Sequence, residues 1–358
     1  MTEIRAAICE AFGAPLRLAP VRLAPPGPGE VEVTLAACAI CHSDISYIDG
    51  GWGGALPAVF GHEASGTVSA TGPGSRYAPG DRVLVTLIRA CGSCLSCATG
   101  RPVLCTAPKP ERSPISLPDG TPVTRGLNCG AFAERVVVDQ SQLAPLPGDI
   151  GMDVAALLSC GVITGIGAAV HTAGIRPGEV VVVIGAGGVG LNAIQGARLA
   201  GAARIIAIDL SEAKLAAARE FGATDTLLAT AEKPWSAARR LAGRAADCVL
   251  VTVGATAAYD SAPRYLAPGG RLVAVGMPHS GETARYEPVI LAATGQSITG
   301  SLMGETVLAR DIPRLLDLYR QGRLKLDELV SGRWPLERIN DAIADTRTGA
   351  ARRNVIIF

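Results

Sequence analysis

The stretch "VVVVIGAGGVGLNAIQGARLAGAARIIAIDL", residues 180–210, decides the fold of this chain. An apolar run leads into a glycine turn, a helix-like segment rich in Ala and Leu, and a second apolar run, which is the order of a βαβ unit. Asp209 ends the second run, where an acid accepts hydrogen bonds from an adenosine ribose and repels a 2′-phosphate. The pattern predicts a dinucleotide site for NAD rather than NADP. The residues assigned to it from this pattern are Gly185, Gly187, Gly188, Val189, Gly190 and Asp209.

The rest of the chain predicts an α/β protein with two domains, one of them a Rossmann-type domain and the other mostly β. Apolar runs continue to alternate with helical stretches, as in "ADCVLVTVG" (246–254), which is typical of a doubly wound parallel sheet of the Rossmann type. Before about residue 150, short apolar runs punctuated by Gly and Pro, such as "EVEVTLAACAI" (30–40), indicate a mostly β domain.

Composition narrows the class of protein. The chain has 358 residues, 48% of them hydrophobic, and a net charge of +1. A balance so close to neutral supplies no electrostatic footprint for nucleic acid or an anionic membrane surface. No uninterrupted apolar run reaches the roughly 18 residues of a spanning helix, and no basic leader precedes an apolar run at the N-terminus. We therefore expect a cytoplasmic protein that binds neither nucleic acid nor a membrane.

Four of the ten cysteines lie in "CGSCLSCATGRPVLC" (91–105), with the spacing C-x2-C-x2-C-x7-C. Four thiolates on one compact loop close a tetrahedral shell around zinc and leave no position for water or substrate, so the spacing predicts a structural zinc. The ligands are Cys91, Cys94, Cys97 and Cys105. Unligated thiols and an iron–sulfur cluster are the alternatives, although the spacing differs from that of ferredoxin runs.

A second set of candidate ligands is dispersed along the chain. Cys41 lies in "ICHSD", His62 and Glu63 in "FGHEASG", and Cys160 in "LLSCGVITG". Two thiolates and one imidazole leave a fourth position open, as a catalytic zinc requires. Each residue alone is weak evidence, because a lone Cys is usually a small core residue.

Taken together, these motifs resemble the zinc-dependent medium-chain alcohol dehydrogenase family almost from end to end. The matching stretches are "GHEASGTV" (61–68), the cysteine loop, "AGAARIIAIDLSEAKLAAAREFGATD" (200–225) and "RTGAARRNVIIF" (347–358). The resemblance implies a GroES-like catalytic domain at 1–161, an NAD-binding Rossmann domain at 162–303 and a return of 304–358 to the first domain. It also implies a homodimer, with a tetramer as the alternative.

The resemblance carries residue roles onto matching positions. It implies two zinc ions per subunit, the catalytic one on Cys41, His62 and Cys160, with Glu63 as an occasional alternative ligand. Asp44 would orient His62, and Ser43 would bond the alcohol and begin a proton relay. The residues it assigns to NAD are Thr164 beside the nicotinamide, Lys214 at a ribose and Arg353 at the pyrophosphate.

Two positions depart from the family pattern. Ser46 stands where relatives often carry the His that passes the proton to solvent, so proton release takes another path. His42 occupies a pyrophosphate position often held by Arg, where a neutral imidazole binds the anion less firmly. His42 is alternatively a proton shuttle.

The implied substrate pocket is apolar, which favours a medium-sized or aromatic primary alcohol and its aldehyde. The residues assigned to its lining are Trp52, Leu87, Leu127, Met277 and Leu302; ordinary core packing is the other interpretation of each. Oxidation of an S-hydroxymethyl thiol adduct of formaldehyde is the nearest rival activity and needs cations at the pocket mouth, for which Lys109, Arg112 and Arg125 are candidates. A polyol dehydrogenase, a zinc-free reductase and a non-catalytic binding protein on the same scaffold remain further alternatives.

Overall fold

The computed structural model describes residues 1–108 and 113–358. The strands are β1 (Thr2–Cys9), β2 (Arg17–Leu23), β3 (Glu30–Ala39), β4 (Ala58–Val59), β5 (Glu63–Thr71), β6 (Arg82–Val85), β7 (Ile115–Ser116), β8 (Thr124–Arg125), β9 (Arg135–Asp139), β10 (Leu143–Pro145), β11 (Val180–Ile184), β12 (Arg204–Asp209), β13 (Asp225–Leu228), β14 (Ala246–Val251), β15 (Leu266–Ala274), β16 (Ser297–Gly300), β17 (Val330–Pro335) and β18 (Arg353–Ile357).

Short helices in the first half of the chain give way to longer ones that flank the later strands. The α-helices are α1 (His42–Ile48), α2 (Leu95–Ala98), α3 (Met152–Ala156), α4 (Gly161–Gly167), α5 (Gly188–Leu199), α6 (Glu212–Glu220), α7 (Pro234–Ala242), α8 (Thr256–Ser261), α9 (Pro288–Thr294), α10 (Leu308–Arg320) and α11 (Ile339–Thr348). In the described ranges no single helix is long and apolar enough to cross a membrane; one bent pair, 152–159 with 161–172, meets the length and composition test.

The chain divides into two compact units. The first contains 1–160, 307–316 and 326–358, and the second contains 161–306 and 317–325. The C-terminal strand thus belongs with the N-terminal part of the chain, because β18 pairs antiparallel with β3.

The first unit is built mainly from β-strands. Among the described residues its larger sheet runs β10-β6-β5-β3-β18-β17, with β9 also paired to β3, and its smaller sheet runs β7-β2-β1-β4-β8. In β3 the side chains alternate only in part: Val31, Val33 and Ala37 are fully buried at alternate positions, and the intervening Glu32 and Cys38 are buried as well. A central strand paired on both edges and covered on its faces needs such apolar residues, and it fixes the register of its neighbours.

The second unit contains the predicted parallel sheet, in the order β13-β12-β11-β14-β15-β16. Every pairing in it is parallel, which confirms the Rossmann-type prediction made from residues 180–210. Each residue of β11 is buried, as a strand covered by helices on both faces requires.

Two glycines of the turn after β11 are required by space. A Cβ on Gly185, whose φ is +98°, would lie 2.3 Å from a methyl carbon of Val253, and one on Gly190 would lie 1.9 Å from the carbonyl oxygen of Gly185. A Cβ on Gly187 would meet no atom within 4 Å. The turn is therefore tight on its inner side and open where α5 begins.

Candidate metal centre and cofactor site

Four buried side chains of the first unit converge on one point. The ligand atoms of Cys41, His62, Glu63 and Cys160 all lie within 4.8 Å of one another. The sheet brings them together, because Glu63 pairs in register with Ala39 just before Cys41. The hydroxyl of Ser159 donates to the carbonyl of Ala64 at 3.0 Å, which holds Cys160 beside β5.

Asp44 fixes the orientation of the histidine. Its carboxylate lies 2.9 Å from Nδ1 of His62 and also accepts the backbone N–H groups of Gly61 at 2.9 Å and Cys41 at 3.1 Å. The other ring nitrogen, Nε2, is buried and has no hydrogen-bond partner among the described residues. A buried nitrogen without a partner is costly, whereas two thiols and one oriented imidazole are a donor set that zinc prefers. The residues present therefore fit a zinc ion.

The hydrogen bond between Cys41 and Cys160 shifts the pKa values of the two thiols in opposite directions. A hydrogen bond from Cys160 holds the pKa of Cys41 well below its usual range, against the effect of burial. The same bond, together with burial, holds the pKa of Cys160 well above its usual range. Burial lowers the pKa of His62, but the Asp44 carboxylate outweighs burial and the pKa is well above normal. Burial raises the pKa of Glu63 to about 8.

Arg353 is bound inside this centre, a contact that the sequence did not predict. Its guanidinium donates to Oε1 of Glu63 at 2.9 Å and to the carbonyl of Ile40 at 3.1 Å, and the side chain is buried. The other carboxylate oxygen of Glu63, Oε2, is buried and has no hydrogen-bond partner in the part of the chain that the structure describes. The pair joins residues that are 290 positions apart, so no local signal could have revealed it. The predicted pyrophosphate contact of Arg353 stays a prediction.

The four-cysteine loop forms the second cluster. The sulfurs of Cys91, Cys94, Cys97 and Cys105 also lie within 4.8 Å of one another. The Cys94–Cys105 sulfur distance is 3.9 Å, close to the edge of about 3.8 Å for a tetrahedron with Zn–S bonds of about 2.3 Å. Backbone N–H groups of Cys91 and Cys94 donate to sulfurs at 3.3 and 3.2 Å. Hydrogen bonds from the backbone of Ser93 and Cys94 lower the pKa of Cys91 to about 6.

The predicted cofactor residues of the second unit lie around the open side of the glycine turn. Asp209 accepts the backbone N–H of Ala186 at 2.8 Å and that of Ser211 at 3.1 Å. These bonds hold the carboxylate at the carboxyl end of β12, beside the turn. Gly188, Val189 and Gly190 form the first turn of α5, where backbone N–H groups and the helix dipole favour a phosphate. The open space at Gly187 fits the approach of a pyrophosphate.

The remaining residues that the sequence analysis singled out for the cofactor and the proton relay lie on α1, α4 and α6. Lys214 lies in the first turn of α6, where its backbone N–H donates to the hydroxyl oxygen of Ser211. Thr164 is buried in α4 and donates to the sulfur of Met303 at 3.7 Å. On α1, His42 is exposed and both Ser43 and Ser46 are half-buried.

A cavity of about 460 Å³ lies within the first unit. Leu87 and Leu127, which the sequence analysis assigned to the substrate pocket, line this cavity, and the Trp52 ring contacts Tyr47, another lining residue. Met277 and Leu302 belong to the second unit, where they are 57% and 46% exposed. Phe12, Tyr47 and Phe60 also line the cavity, and the sequence analysis did not identify them. The one sequence signal that could have identified Phe60 is its position two residues before His62.

Of the three cations that the rival thiol-adduct activity would need, Arg125 lies among the described residues. Arg125 lines the cavity, and its guanidinium donates to the carbonyl of Val137. Burial lowers the pKa of Arg125. Lys109 and Arg112 lie outside the described residues, so the predicted cationic pocket mouth stays a prediction.

Comparison with known proteins agrees with this arrangement. The sequence profile of the alcohol dehydrogenase GroES-like domain matches residues 27–148, and that of the zinc-binding dehydrogenases matches 188–321. The NDMA-dependent alcohol dehydrogenase of Amycolatopsis methanolica is 35% identical over 99% of both chains. The chain belongs to the zinc-dependent medium-chain alcohol dehydrogenase family. Membership confirms the predicted GroES-like domain and makes the protein an oxidoreductase.

Two solved structures are similar to this chain over its whole length. The benzyl alcohol dehydrogenase of Acinetobacter calcoaceticus is 29% identical with a TM-score of 0.93, and both chains are covered completely. A putative zinc-binding dehydrogenase from Sinorhizobium meliloti 1021, solved with bound NADP, is 27% identical with a TM-score of 0.85, again over the whole of both chains.

Proposed function

We propose that this protein is a zinc-dependent alcohol dehydrogenase that transfers hydride reversibly between a medium-sized or aromatic primary alcohol and NAD. The observation that carries the proposal is the buried set of Cys41, His62 and Cys160, in which Nε2 of His62 has no hydrogen-bond partner within residues 1–108 and 113–358. A purely structural core would leave that nitrogen bonded within the protein. Two thiolates and one imidazole leave a fourth coordination position open, as catalysis at zinc requires.

Zinc at this centre would act as a Lewis acid that favours loss of the hydroxyl proton of an alcohol. Asp44 keeps His62 in one ring orientation through the 2.9 Å contact to Nδ1, so that Nε2 faces the cluster. Ser43 is assigned the hydroxyl that accepts the proton of the alcohol and passes it on. Because Ser46 has no titratable imidazole, we assign the exit of this proton to the exposed His42.

NAD would accept the hydride, and the second unit is proposed to bind it. The Asp209 carboxylate, held by two backbone N–H groups, accepts hydrogen bonds from a ribose and repels a 2′-phosphate. This favours NAD over the NADP found in the S. meliloti protein. The first unit then supplies the metal centres and the second the cofactor.

A homodimer is proposed from the free edge of the parallel sheet. All four residues of the edge strand β16 are exposed, and α9 has no buried residue although it is apolar. The exposed apolar side chains in this region are Tyr286, Val289, Ile290 and Ile298. An exposed apolar strand edge is otherwise an aggregation hazard, and pairing with the same edge of a second copy covers it. Sedimentation of the purified protein tests this assignment.

The activity test combines metal analysis with a spectrophotometric assay. We expect two zinc ions per chain and NADH formation when purified protein is mixed with NAD and benzyl alcohol or a medium-chain primary alcohol. The reverse reaction with the matching aldehyde should consume NADH. A protein that contains two zinc ions and yet turns over no alcohol or aldehyde with either NAD or NADP would contradict the proposal.

A further inference from the structure

The backbone before Cys160 sets the direction of its side chain. A turn of 3-10 helix (Leu157–Ser159) ends directly before this residue, and α4 begins directly after it. Between these helical segments Cys160 has φ −149° and ψ −69°, so its backbone continues neither of them. The position of its sulfur therefore depends on the orientation of the peptide group that joins Ser159 to Cys160.

That peptide group is held at its carbonyl oxygen. The hydroxyl of Thr86 donates a hydrogen bond of 2.6 Å to the Ser159 carbonyl, and both residues are fully buried. The last carbonyl groups of a helical turn have no donor within the turn, so this oxygen needs one from elsewhere. Because the peptide group is planar, a bond that fixes its oxygen also fixes the Cα of the next residue, Cys160.

A second hydroxyl holds the other end of the same peptide group. The Ser159 side chain donates to the carbonyl of Ala64 at 3.0 Å. Ala64 lies on β5 and pairs in register with Val85 on β6, the residue before Thr86. The two hydroxyl bonds therefore attach the Ser159–Cys160 peptide group to β5 and to the end of β6.

Thr86 is itself held in place by Gln142. Its backbone N–H donates to the Gln142 carbonyl at 3.0 Å, and its carbonyl accepts from the Gln142 side chain at 2.9 Å. The same side-chain amide, which belongs to a fully buried residue, also donates to the carbonyl of Asn128 at 3.2 Å. Bonds on both sides of its backbone give Thr86 little freedom to move, so its hydroxyl is a rigid donor.

We propose that Thr86 is a positioning residue: its hydroxyl, acting through the Ser159 carbonyl, holds the Cys160 thiol in place as a ligand of the reactive metal. The inference rests on the zinc-dependent activity proposed above and adds a residue that lies outside the ligand set. The His62 ring is oriented by a direct contact with Asp44. The cysteine is oriented through its backbone instead, and the bond preorganises the site before the metal binds.

Two substitutions of Thr86 separate the hydroxyl from the volume of the side chain. Thr86→Val keeps the branched shape and replaces the hydroxyl with a methyl group, whereas Thr86→Ser keeps the hydroxyl and removes the methyl group. We expect Thr86→Val to lower the zinc affinity of the buried centre about three- to tenfold, the factor that one net hydrogen bond represents. Thr86→Ser should retain the zinc affinity. A role in packing alone gives the opposite order, which would overturn the proposal.

Competition with a chelator measures the zinc affinity. The four-cysteine loop contributes no residue to this network, so the release of its zinc should be the same in every variant, and only the release from the buried centre should shift. Unshifted release from the buried centre of a folded Thr86→Val protein would refute the positioning role. If Thr86→Val does not fold, Ser159→Ala takes its place, because it removes the other bond of the same peptide group and should shift the same release.

Thr346→Val is the matched control. This buried threonine of α11 lies in the same unit, and its hydroxyl donates to the carbonyl of Ala342 at 2.8 Å. The hydroxyl also accepts from the Asn354 amide at 3.0 Å, so the control loses at least as much hydrogen bonding as Thr86→Val. It should leave the release of both zinc ions unchanged. An equal shift in the two variants would mean that the first unit is loosened in general, and would overturn the assignment.

The outcome for Thr86 is independent of the outcome for alcohol oxidation, because the readout is metal binding. A shifted release in Thr86→Val supports the positioning role even if the native protein turns over no alcohol. Normal turnover of alcohol by the native protein, together with an unshifted release in Thr86→Val, refutes the positioning role and leaves the proposed activity intact.

Discussion

The two ligand clusters of the first unit differ in how the chain builds them. Cys91, Cys94, Cys97 and Cys105 come from a single loop and are exposed or half-buried. Cys41, His62, Glu63 and Cys160 come from separate elements and are all buried. The first cluster is organised by N–H···S bonds within its own loop; the second depends on sheet register and on Asp44. Local spacing suffices for a closed structural site, whereas an open reactive site needs a rigid surrounding that positions each ligand separately.

The largest effect is expected for Cys160→Ala, which should remove activity and leave the fold intact. Cys160→Ala should abolish turnover, a loss of at least about a thousandfold, because it removes one ligand of the reactive metal. The protein should retain one zinc, in the loop. Metal analysis and NADH formation measure both effects.

Cys38→Ala is the matched control for that change. Cys38 is buried on β3, its thiol donates to the carbonyl of Ala39 at 3.7 Å, and it belongs to neither ligand cluster, so the variant should keep both zinc ions and most of the activity. Near-normal turnover of a metal-analysed Cys160→Ala protein would contradict the ligand assignment.

Asp44→Asn tests whether the buried cluster depends on its surroundings. Removal of the charge that orients His62 should cost about 10- to 100-fold in zinc affinity or in kcat/KM. Competition with a chelator and steady-state kinetics measure the two quantities. Asp49→Asn, at the end of the same helix and paired with Arg347, should leave both unchanged; equal losses in the two variants would mean that α1 is merely destabilised.

Substitution of a cysteine in the loop cluster should lower the stability of the protein and leave catalysis largely unchanged. Cys97→Ala should release one zinc and lower the unfolding temperature, because binding of structural zinc is coupled to folding. The kcat per remaining zinc should stay within about twofold. Leu95→Ala, at an exposed position of the same helix, is the control for thermal unfolding. A selective fall in kcat of a fully folded Cys97→Ala protein would assign the loop a part in the reaction.

The smallest expected effect lies in the second unit. Asp209→Gly should improve kcat/KM with NADP relative to NAD about tenfold, because the carboxylate that repels a 2′-phosphate is removed. Glu212→Ala removes a neighbouring charge and should change the ratio little. Cofactor kinetics give the answer: an unchanged ratio in Asp209→Gly would disprove the ribose assignment.

Prediction from sequence succeeded where the signal was local. Residues 180–210 carry strand, turn, helix and acid in one continuous stretch, and the parallel sheet forms as expected. The spacing of the four cysteines in the loop is likewise a local signal, and it predicted the cluster of thiols. Cys41, His62 and Cys160 are uninformative singly, and it was the likeness to a family that grouped them. The Glu63–Arg353 pair and the Thr86–Ser159 hydrogen bond had no such signal, since their partners meet only after the strands have packed.

The sequence by itself determined the class of fold, the glycine turn and the loop of four thiols, because backbone conformation and short spacings are properties of neighbouring residues. Tertiary structure alone decided how closely Cys41, His62 and Cys160 approach one another inside the protein, and that Arg353 lies beside Glu63 there. The physical reason is that burial and sheet register create the low-dielectric surroundings in which an unpartnered His62 Nε2 and a buried ion pair become a site.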